Sequence, residues 1–72
     1  MIAVGQTVEV LFDEAGGQVW KQGIIVFIGP NTHTGVFEVW VELNFHWGSA
    51  TLPYTAHEFR SGIVRVTRVR GA

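Results

Sequence analysis

The alternating stretch from Val36 to Leu43 constrains the fold of this chain more than any other feature of the sequence. Successive side chains of a β-strand point to opposite faces, so this pattern predicts a strand with an apolar inner face and a polar outer face. Trp40 is the exception, because it is a large aromatic residue on the face that carries the glutamates. The predicted inner residues are Phe37, Val39, Val41 and Leu43, and the outer ones are Val36, Glu38, Trp40 and Glu42.

Four further segments have the composition of strands, and clusters of turn-forming residues separate them. The first segment alternates, with Val8, Val10 and Phe12 on its inner face, and Asp13–Gln18 follows it as a predicted exposed loop. The predicted strands besides the central one are Thr7–Phe12, Val19–Ile28, Ala50–Tyr54 and Ile63–Val69.

The second predicted strand is apolar on both faces. An unbroken alternation places Ile24, Val26 and Ile28 on one face and Ile25 and Phe27 on the other. A strand of this kind is either central in its sheet or packed against a partner on its outer side. Gly23, inside the same strand, predicts a β-bulge or a close approach of two backbones.

A short helix is predicted near the end of the chain. Thr55 and Glu58 have the spacing of a capping box, which predicts one helical turn with Phe59 inserted into the core. Closure into a barrel is the usual way in which a short all-β chain removes its strand edges. We therefore predict an all-β fold, a small five-stranded Src-homology-3-like barrel with one short helical turn before the last strand. The prediction treats residues 1–72 as a single domain.

The composition favours association with a second copy. Hydrophobic residues make up 47% of the chain and charged residues 15%, and there is no cysteine to form a stabilising disulfide. A chain of 72 residues is also near the lower size limit for a self-sufficient core. We therefore expect an exposed apolar patch that mediates homo-oligomer formation, most simply as a homodimer. The residues predicted to form this interface are Ile25, Phe27, Val36 and Trp40.

The aromatic residues give the clearest functional signal. In a small barrel the loop between the first two strands lies near the hairpin after the central strand, so these rings are expected to converge on one rim. Aromatic faces flanked by carboxylates attract an alkylated ammonium group. The alternative is that the rings pack in the core or form an oligomer interface. The predicted ligand-binding residues are Trp20, Trp40, Phe45, Trp47 and Tyr54, and the expected partner is a protein or peptide.

No motif for catalysis or metal binding stands out. His33, His46 and His57 do not lie at ligand spacing from one another or from an acid. The serines lack the context of a nucleophile, and no phosphate-binding glycine loop is present. Glu38 and Glu42 are interpreted as solubilising. The sequence therefore predicts a non-enzymatic binding module with no catalytic residue, no metal and no cofactor.

The charges leave a nucleic-acid alternative open. The net charge is −1, but the arginines cluster late in the chain, where they can meet phosphate or simply form a solvated strand edge. No stretch is long and apolar enough to span a bilayer, so we expect no membrane association and a cytoplasmic, intracellular location. The arginines concerned are Arg60, Arg65, Arg68 and Arg70.

Five segments carry a further signal: Val4–Val10, Trp20–Ile25, Phe37–Val41, Leu52-Pro53 and Phe59-Arg60. Together they resemble a Tudor or Agenet domain. The resemblance implies a Src-homology-3-like barrel that reads methylated lysine or arginine on a partner, and a nuclear location. It also implies that Trp20, Trp40 and Phe45 form the walls of an aromatic cage. The acidic-glycine turn that such domains place after the central strand is replaced here by Asn44–Gly48.

A second group of segments consists of Trp20–Val26 and of Gly48-Ser49 followed by Pro53. These segments resemble the plasmid-borne type II dihydrofolate reductases. This resemblance implies the same barrel and a tetramer around a central pore. The valine-glutamine-isoleucine-tyrosine pore motif is absent, and Ala50–Pro53 stands in its place. The alternative function is thus a small oligomeric barrel of a mobile-element or plasmid type, for which we do not expect reductase activity.

Overall fold

A computed structural model describes residues 2–67 of the chain. Its elements are β1 (Thr7–Glu14), β2 (Gly17–Pro30), β3 (Phe37–Phe45), β4 (Gly48–Tyr54), α1 (Ala56–Ser61) and β5 (Val64–Val66). The strands are antiparallel and form one sheet in the order β4-β3-β2-β1-β5. This confirms the predicted mostly-β fold of five antiparallel strands with a short helix before the last strand. Closure of the sheet into a barrel is not detected among residues 2–67.

The β1–β2 hairpin is tighter than predicted. The segment Asp13–Gln18 has the composition of a loop, but its ends pair as strands and leave a turn of only two residues. Gln18 Nε2 donates a hydrogen bond to Asp13 Oδ1 at 3.1 Å, and an ion pair joins Lys21 Nζ to Glu14 Oε2 at 3.1 Å. Polar side chains that bond across the ladder thus extend it beyond the apolar pattern.

The β3–β4 hairpin is also tighter than predicted. β3 continues to Phe45 and β4 begins at Gly48, so only His46 and Trp47 form the turn. Gly48 has a φ of 141°, a backbone conformation that is accessible almost only to glycine. The glycine therefore allows a short turn in spite of the bulky aromatic residue beside it.

The core lies on the inner face of the sheet, as the alternation predicts. Phe12 and Phe59 pack against it from the sides. Phe37, which is predicted to point inward, remains 58% exposed because it occupies the first position of β3, where little of the sheet covers it. The buried core residues are Val8, Val10, Ile25, Val39, Val41, Leu43 and Val64.

A β-bulge in β2 changes which side chains face outward. Ile25 pairs with Val41, but Phe27 pairs with Trp40, so Val26 is an extra residue without a partner in β3. The extra residue reverses the alternation. As a result Ile25 is fully buried, whereas Phe27 is 47% exposed on the outer face. The predicted placement of these two residues on one face is wrong, because it assumes an unbroken period of two.

Because of the bulge, the residues predicted to form an exposed apolar surface do not all lie on that surface. Ile25 lies in the core, so it does not belong to an exposed interface. Ile24 is 48% exposed, whereas Ile28 packs against the core, so these residues do not share a face as predicted. Val36 lies in the loop before β3 rather than in the strand, and it is 48% exposed.

Gly23 marks a close approach between β2 and β3. A Cβ atom at this position would lie 2.6 Å from Val41 Cγ1 and 2.8 Å from the carbonyl oxygen of Glu42. These distances are too short for any side chain without displacement of its neighbours. The predicted close backbone approach is therefore confirmed, and the bulge lies further along the strand, at Val26.

The helical turn has the predicted position and cap. α1 is 6 residues long, which is less than two turns. The backbone N–H and the hydroxyl of Thr55 both donate to Glu58 Oε1, at 2.6 Å and 2.7 Å. Gly62 ends the helix with a φ of 86°, and Phe59 packs against the core as expected.

Some predictions fall outside the described residues. The part of the last predicted strand beyond Thr67 lies there, as do Arg68 and Arg70. The assignment of residues 1–72 to a single domain also stays a prediction. Within residues 2–67, no helix has the length and apolar character needed to cross a membrane.

We expect Gly23→Ala to lower the free energy of unfolding by about 1–3 kcal/mol, because the added methyl group must displace packed atoms of Val41 and Leu43. Gly16→Ala is the matched control, since a Cβ atom there meets nothing within 4 Å. It should change stability by less than about 0.5 kcal/mol. Urea unfolding followed by tryptophan fluorescence measures both values, and equal stability of the two variants would contradict the close approach.

Candidate functional site

The predicted aromatic residues are divided between the two faces of the sheet. Trp20 and Trp40 occupy outer-face positions of β2 and β3, whereas Phe45 and Tyr54 occupy inner-face positions. Trp47 lies in the β3–β4 turn. The rings do not all meet on one rim as expected, and exposed aromatic residues instead form separate local groups.

Trp20 is covered by an arginine of the same chain. Arg65 Cζ lies 3.6 Å from the centroid of the Trp20 ring. Two nitrogen atoms of the same guanidinium contact Glu9 Oε1, Nε at 2.9 Å and Nη2 at 2.8 Å. An intramolecular cation thus already occupies this aromatic face. Arg65 is also one of the arginines predicted to meet phosphate, and it is paired here with Glu9.

Phe45 and Trp47 form a stacked pair near the β3–β4 turn. Their ring centroids are 5.0 Å apart and their planes differ by 4°. Phe12 packs edge-on against Phe45 at 5.7 Å. Lys21 Nζ lies 5.6 Å from the Phe45 centroid, and the same amine is paired with Glu14. This group extends the core towards the turn and already contains its own cation.

Tyr54 belongs to the edge of the core. It lies opposite Val39 in the ladder and packs against the buried cluster. Burial raises the pKa of the Tyr54 phenol, and the negative charge of Glu58 raises it further. The pKa of Glu58 is itself lowered, because the hydroxyl and the backbone N–H of Thr55 donate to its carboxylate. Tyr54 is therefore a neutral, half-buried residue rather than a free aromatic wall.

Trp40, which is half-buried, forms an aromatic pair with the exposed Phe27, and both residues belong to the predicted interface. The ring centroids are 6.4 Å apart and the planes meet at 87°, an edge-to-face arrangement. Such a pair contributes about 0.5–1.5 kcal/mol beyond the burial of its area. The bulge at Val26 produces this contact, because it turns Phe27 to the outer face next to Trp40.

A carboxylate is fixed beside this pair by hydrogen bonds. Trp40 Nε1 donates to Glu38 Oε1 at 3.0 Å. Asn31 Nδ2 donates to the same carboxylate, at 3.3 Å to Oε1 and 3.5 Å to Oε2. Glu38 is thus a positioned group, and its interpretation as merely solubilising does not describe its contacts.

Asn31 also organises the loop between β2 and β3. Its Oδ1 accepts hydrogen bonds from the backbone N–H groups of His33 at 2.8 Å and Thr34 at 3.2 Å. Side-chain bonds of this kind are typical of asparagine in turns. The backbone N–H of Asn31 donates to the carbonyl oxygen of Val36 at 2.8 Å, which closes the loop. One residue therefore couples the loop conformation to the position of the Glu38 carboxylate.

The Phe27–Trp40 pair and the loop after β2 surround a shallow pocket of about 310 Å³, which we call the aromatic pocket. This volume is at the lower end of the range for small-ligand sites. Glu38 does not line the pocket itself, but it is hydrogen-bonded to the lining residues Asn31 and Trp40. The lining residues are Phe27, Pro30, Asn31, Thr32, His33 and Trp40.

Gly29 supports the wall of the aromatic pocket. A Cβ atom at Gly29 would lie 2.9 Å from Cζ of Phe27. The Phe27 ring therefore packs over Gly29, and a side chain at this position would displace the ring. Gly29 lies opposite Glu38 in the ladder, so the glycine under the Phe27 ring and the carboxylate belong to paired positions of β2 and β3.

Two other grooves lack this combination of groups. A groove of about 440 Å³ on the outer face has a lining of mixed polar and apolar character and no aromatic wall. A groove of about 350 Å³ at the end of the inner face is almost wholly apolar. The first is lined by Thr7, Gln22, Gly23, Ile24, Glu42 and Asn44, and the second by Ile2, Phe37, Val39, Ala56, Phe59 and Arg60. Only the aromatic pocket, among the three, joins perpendicular rings to a fixed carboxylate.

Sequence reasoning missed part of this site. It selects Trp40 but omits Asn31 and Glu38, and it assigns Phe27 to an oligomer interface. The sequence signal available for Asn31 is its position at the start of a turn-forming run. Within residues 2–67, no group of at least three histidine, cysteine, aspartate or glutamate side chains is arranged to hold a metal ion.

No protein-family model, curated protein or solved structure matches this chain. The resemblances to Tudor or Agenet domains and to type II dihydrofolate reductases therefore stay predictions from the sequence.

We predict that Tyr54 titrates above the ordinary range of a tyrosine and that Glu58→Gln lowers its pKa only in part, because burial is the larger cause. The chain has one tyrosine, so phenolate absorbance during an alkaline titration reports this residue alone. Glu42→Gln serves as the control and should leave the curve unchanged. An unshifted Tyr54, or a pKa that rises in Glu58→Gln, would contradict the assigned causes.

Proposed function

We propose that this protein is a non-catalytic binding module that holds an alkylated ammonium group of a protein or peptide partner in the aromatic pocket. The observation that supports the proposal most strongly is the perpendicular Phe27–Trp40 pair beside the fixed carboxylate of Glu38. A cation over the face of a tryptophan gains about 0.5–1 kcal/mol at an exposed site and about 2 kcal/mol when it is desolvated. Methyl groups on the nitrogen add contacts with Phe27 and weaken the hydration that a bare ammonium must lose.

The electrostatics of the pocket support a cationic ligand. Among the described residues, Glu38 accepts hydrogen bonds only from the neutral groups of Trp40 and Asn31, so no positive side chain neutralises it. The aromatic pocket has no lysine or arginine among its lining residues in the described part of the chain. A negative charge that is held in place next to aromatic rings favours a positive ligand through Coulomb attraction.

The other outer-face tryptophan provides an internal comparison. At Trp20, an arginine stacks on the ring and pairs with the carboxylate of Glu9. Trp40 has the same combination of indole and carboxylate, but within residues 2–67 no lysine or arginine occupies its face. The described residues thus contain one complete carboxylate–cation–tryptophan unit, at Trp20, and a second unit, at Trp40, in which residues 2–67 supply no cation. We propose that the partner supplies it.

The proposal keeps the chemistry implied by the Tudor or Agenet resemblance but changes the residues. Trp40 remains a wall, Phe27 takes the second position, and Trp20 and Phe45 have other contacts.

We also propose that the sheet bends into a Src-homology-3-like barrel. The strand order, the bulge at Val26 and the position of α1 between β4 and β5 support this bending, since bulges increase strand curvature.

Binding of a trimethyl-lysine peptide tests the proposal directly. We expect it to shift the indole N–H resonance of Trp40 and to bind at least about tenfold more tightly than a neutral peptide in which a tert-butyl group replaces the trimethylammonium. A tenfold difference corresponds to about 1.4 kcal/mol, which is within the range of a cation–π contact with a nearby carboxylate. Equal binding of the charged and neutral peptides would contradict the proposal.

Two matched variants separate the role of Glu38 from that of general surface charge. Glu38→Gln keeps an acceptor for the Trp40 indole but removes the charge, and it should weaken binding of the charged peptide. Glu42→Gln removes the other outer-face carboxylate of β3 and should have a much smaller effect, because Glu42 lines a different groove. If both variants weaken binding equally, the aromatic pocket is not the site.

A further inference from the structure

The edge strand β4 has only one of the usual protections against pairing with another strand, Pro53, which lies near its end. It lies at one end of the sheet, is 7 residues long, and contains no charged residue between Gly48 and Tyr54. Exposed edges in monomeric proteins are normally short or carry charged residues, proline or bulges. The opposite edge, β5, carries Arg65 in its ion pair with Glu9. β4 is thus the less protected edge of the described sheet.

Pro53 indicates which backbone groups of β4 face away from β3 and have no partner strand within residues 2–67. Proline has no N–H group, so in an edge strand it occupies a position whose nitrogen points away from the neighbouring strand. Pro53 lies opposite Trp40 of β3 and fits this rule. Because the direction of the N–H alternates along a strand, the N–H groups of Ser49 and Thr51 point to the same free side. Those of Ala50 and Leu52 point towards β3.

We propose that β4 pairs in antiparallel fashion with β4 of a second copy of this chain, and that the two copies form a symmetric dimer with a continuous sheet. In the register that uses the free groups, Ser49 of each copy lies opposite Thr51 of the other. The twofold axis then passes beside Ala50. This interaction is separate from the aromatic pocket and does not depend on the proposed ligand.

The side chains of β4 favour a second copy as the partner. Ser49, Ala50 and Thr51 are small and uncharged, so the centre of the symmetric pairing places no large or like-charged side chains opposite each other. The nearest outer-face charge is Glu42, which lies opposite Thr51 on β3. Across the proposed dimer the two copies of Glu42 are three strand spacings apart, about 14 Å, which is beyond the Debye length of about 8 Å.

The same register accounts for an exposed aromatic residue. Trp47 is 64% exposed in the turn that precedes β4. Symmetric pairing about Ala50 brings the Trp47 turn of one copy opposite the exposed Pro53 of the other. Apolar surface at both ends of the paired strands would then lose contact with water, in agreement with the high hydrophobic content of the chain.

Backbone hydrogen exchange on the wild-type protein gives a specific signature of this dimer. We expect the amides of Ser49 and Thr51 to exchange more slowly as the protein concentration rises, whereas those of Ala50 and Leu52 are protected at every concentration. Sedimentation over the same range should show a shift from about 8 kDa to twice that mass. A monomer at all concentrations up to the millimolar range, or exchange at Ser49 and Thr51 that is independent of concentration, would overturn the proposal.

A pair of substitutions at one position tests the role of the free N–H. Thr51→Pro removes it and should abolish the dimer, while the ladder with β3 remains because this N–H points away from β3. Thr51→Val keeps the N–H and should still dimerise. Persistence of the dimer in Thr51→Pro, with the fold checked by its amide spectrum, would exclude pairing through β4.

Discussion

The β-bulge at Val26 is the constraint on which the outer surface of this protein depends. Without it, Phe27 would follow Ile25 into the core, and the Phe27–Trp40 contact would not form. Two glycines accompany the bulge in the same strand. Gly23 permits the close approach of β3 before it, and Gly29 provides the space over which the Phe27 ring lies after it. β2 is therefore not a regular strand, because the alternation of its inward and outward side chains shifts by one residue at Val26.

The acidic side chains show how this surface differs from the rest of the domain. Glu9 and Glu14 each have a basic partner, and Glu58 caps the helix. Glu38 instead receives hydrogen bonds from an indole and an amide, which fix its position without cancelling its charge. Asp13 is likewise held by a neutral amide, that of Gln18, but among the described acidic residues only Glu38 is hydrogen-bonded to an indole. This difference, rather than the number of aromatic rings, identifies the pocket.

The sequence predicts the fold well where side chains alternate without interruption. The inner face of β3, the inward residues of β1 and the capped turn at Thr55 follow directly from periodicity and from one capping motif. The prediction from the sequence fails in β2, where a single unpaired residue decides which side chains face the core. Nothing in the apolar run from Ile24 to Ile28 distinguishes a bulge from continuous alternation, because every residue in it is compatible with either face.

The candidate site could be predicted only in part for the same reason. Trp40 is visible as an aromatic residue on a polar face, but its partners depend on the bulge and on the loop held by Asn31. Trp20 has the composition expected of a binding residue, yet Arg65, which is distant in sequence, covers it. The pairing of β1 with β5 brings Arg65 over Trp20, and a local sequence pattern cannot predict such a long-range contact.

The position of the bulge can be measured directly from nuclear Overhauser effects of the β2 side chains in solution. We expect contacts between the ring protons of Phe27 and those of Trp40, together with contacts from the methyl groups of Ile25 to Leu43 and Val8 in the core. The contrary result is a shared environment for Ile25 and Phe27, with both side chains in contact with the same face of the sheet. That result would mean unbroken alternation in β2, and it would remove the aromatic pocket from the outer surface.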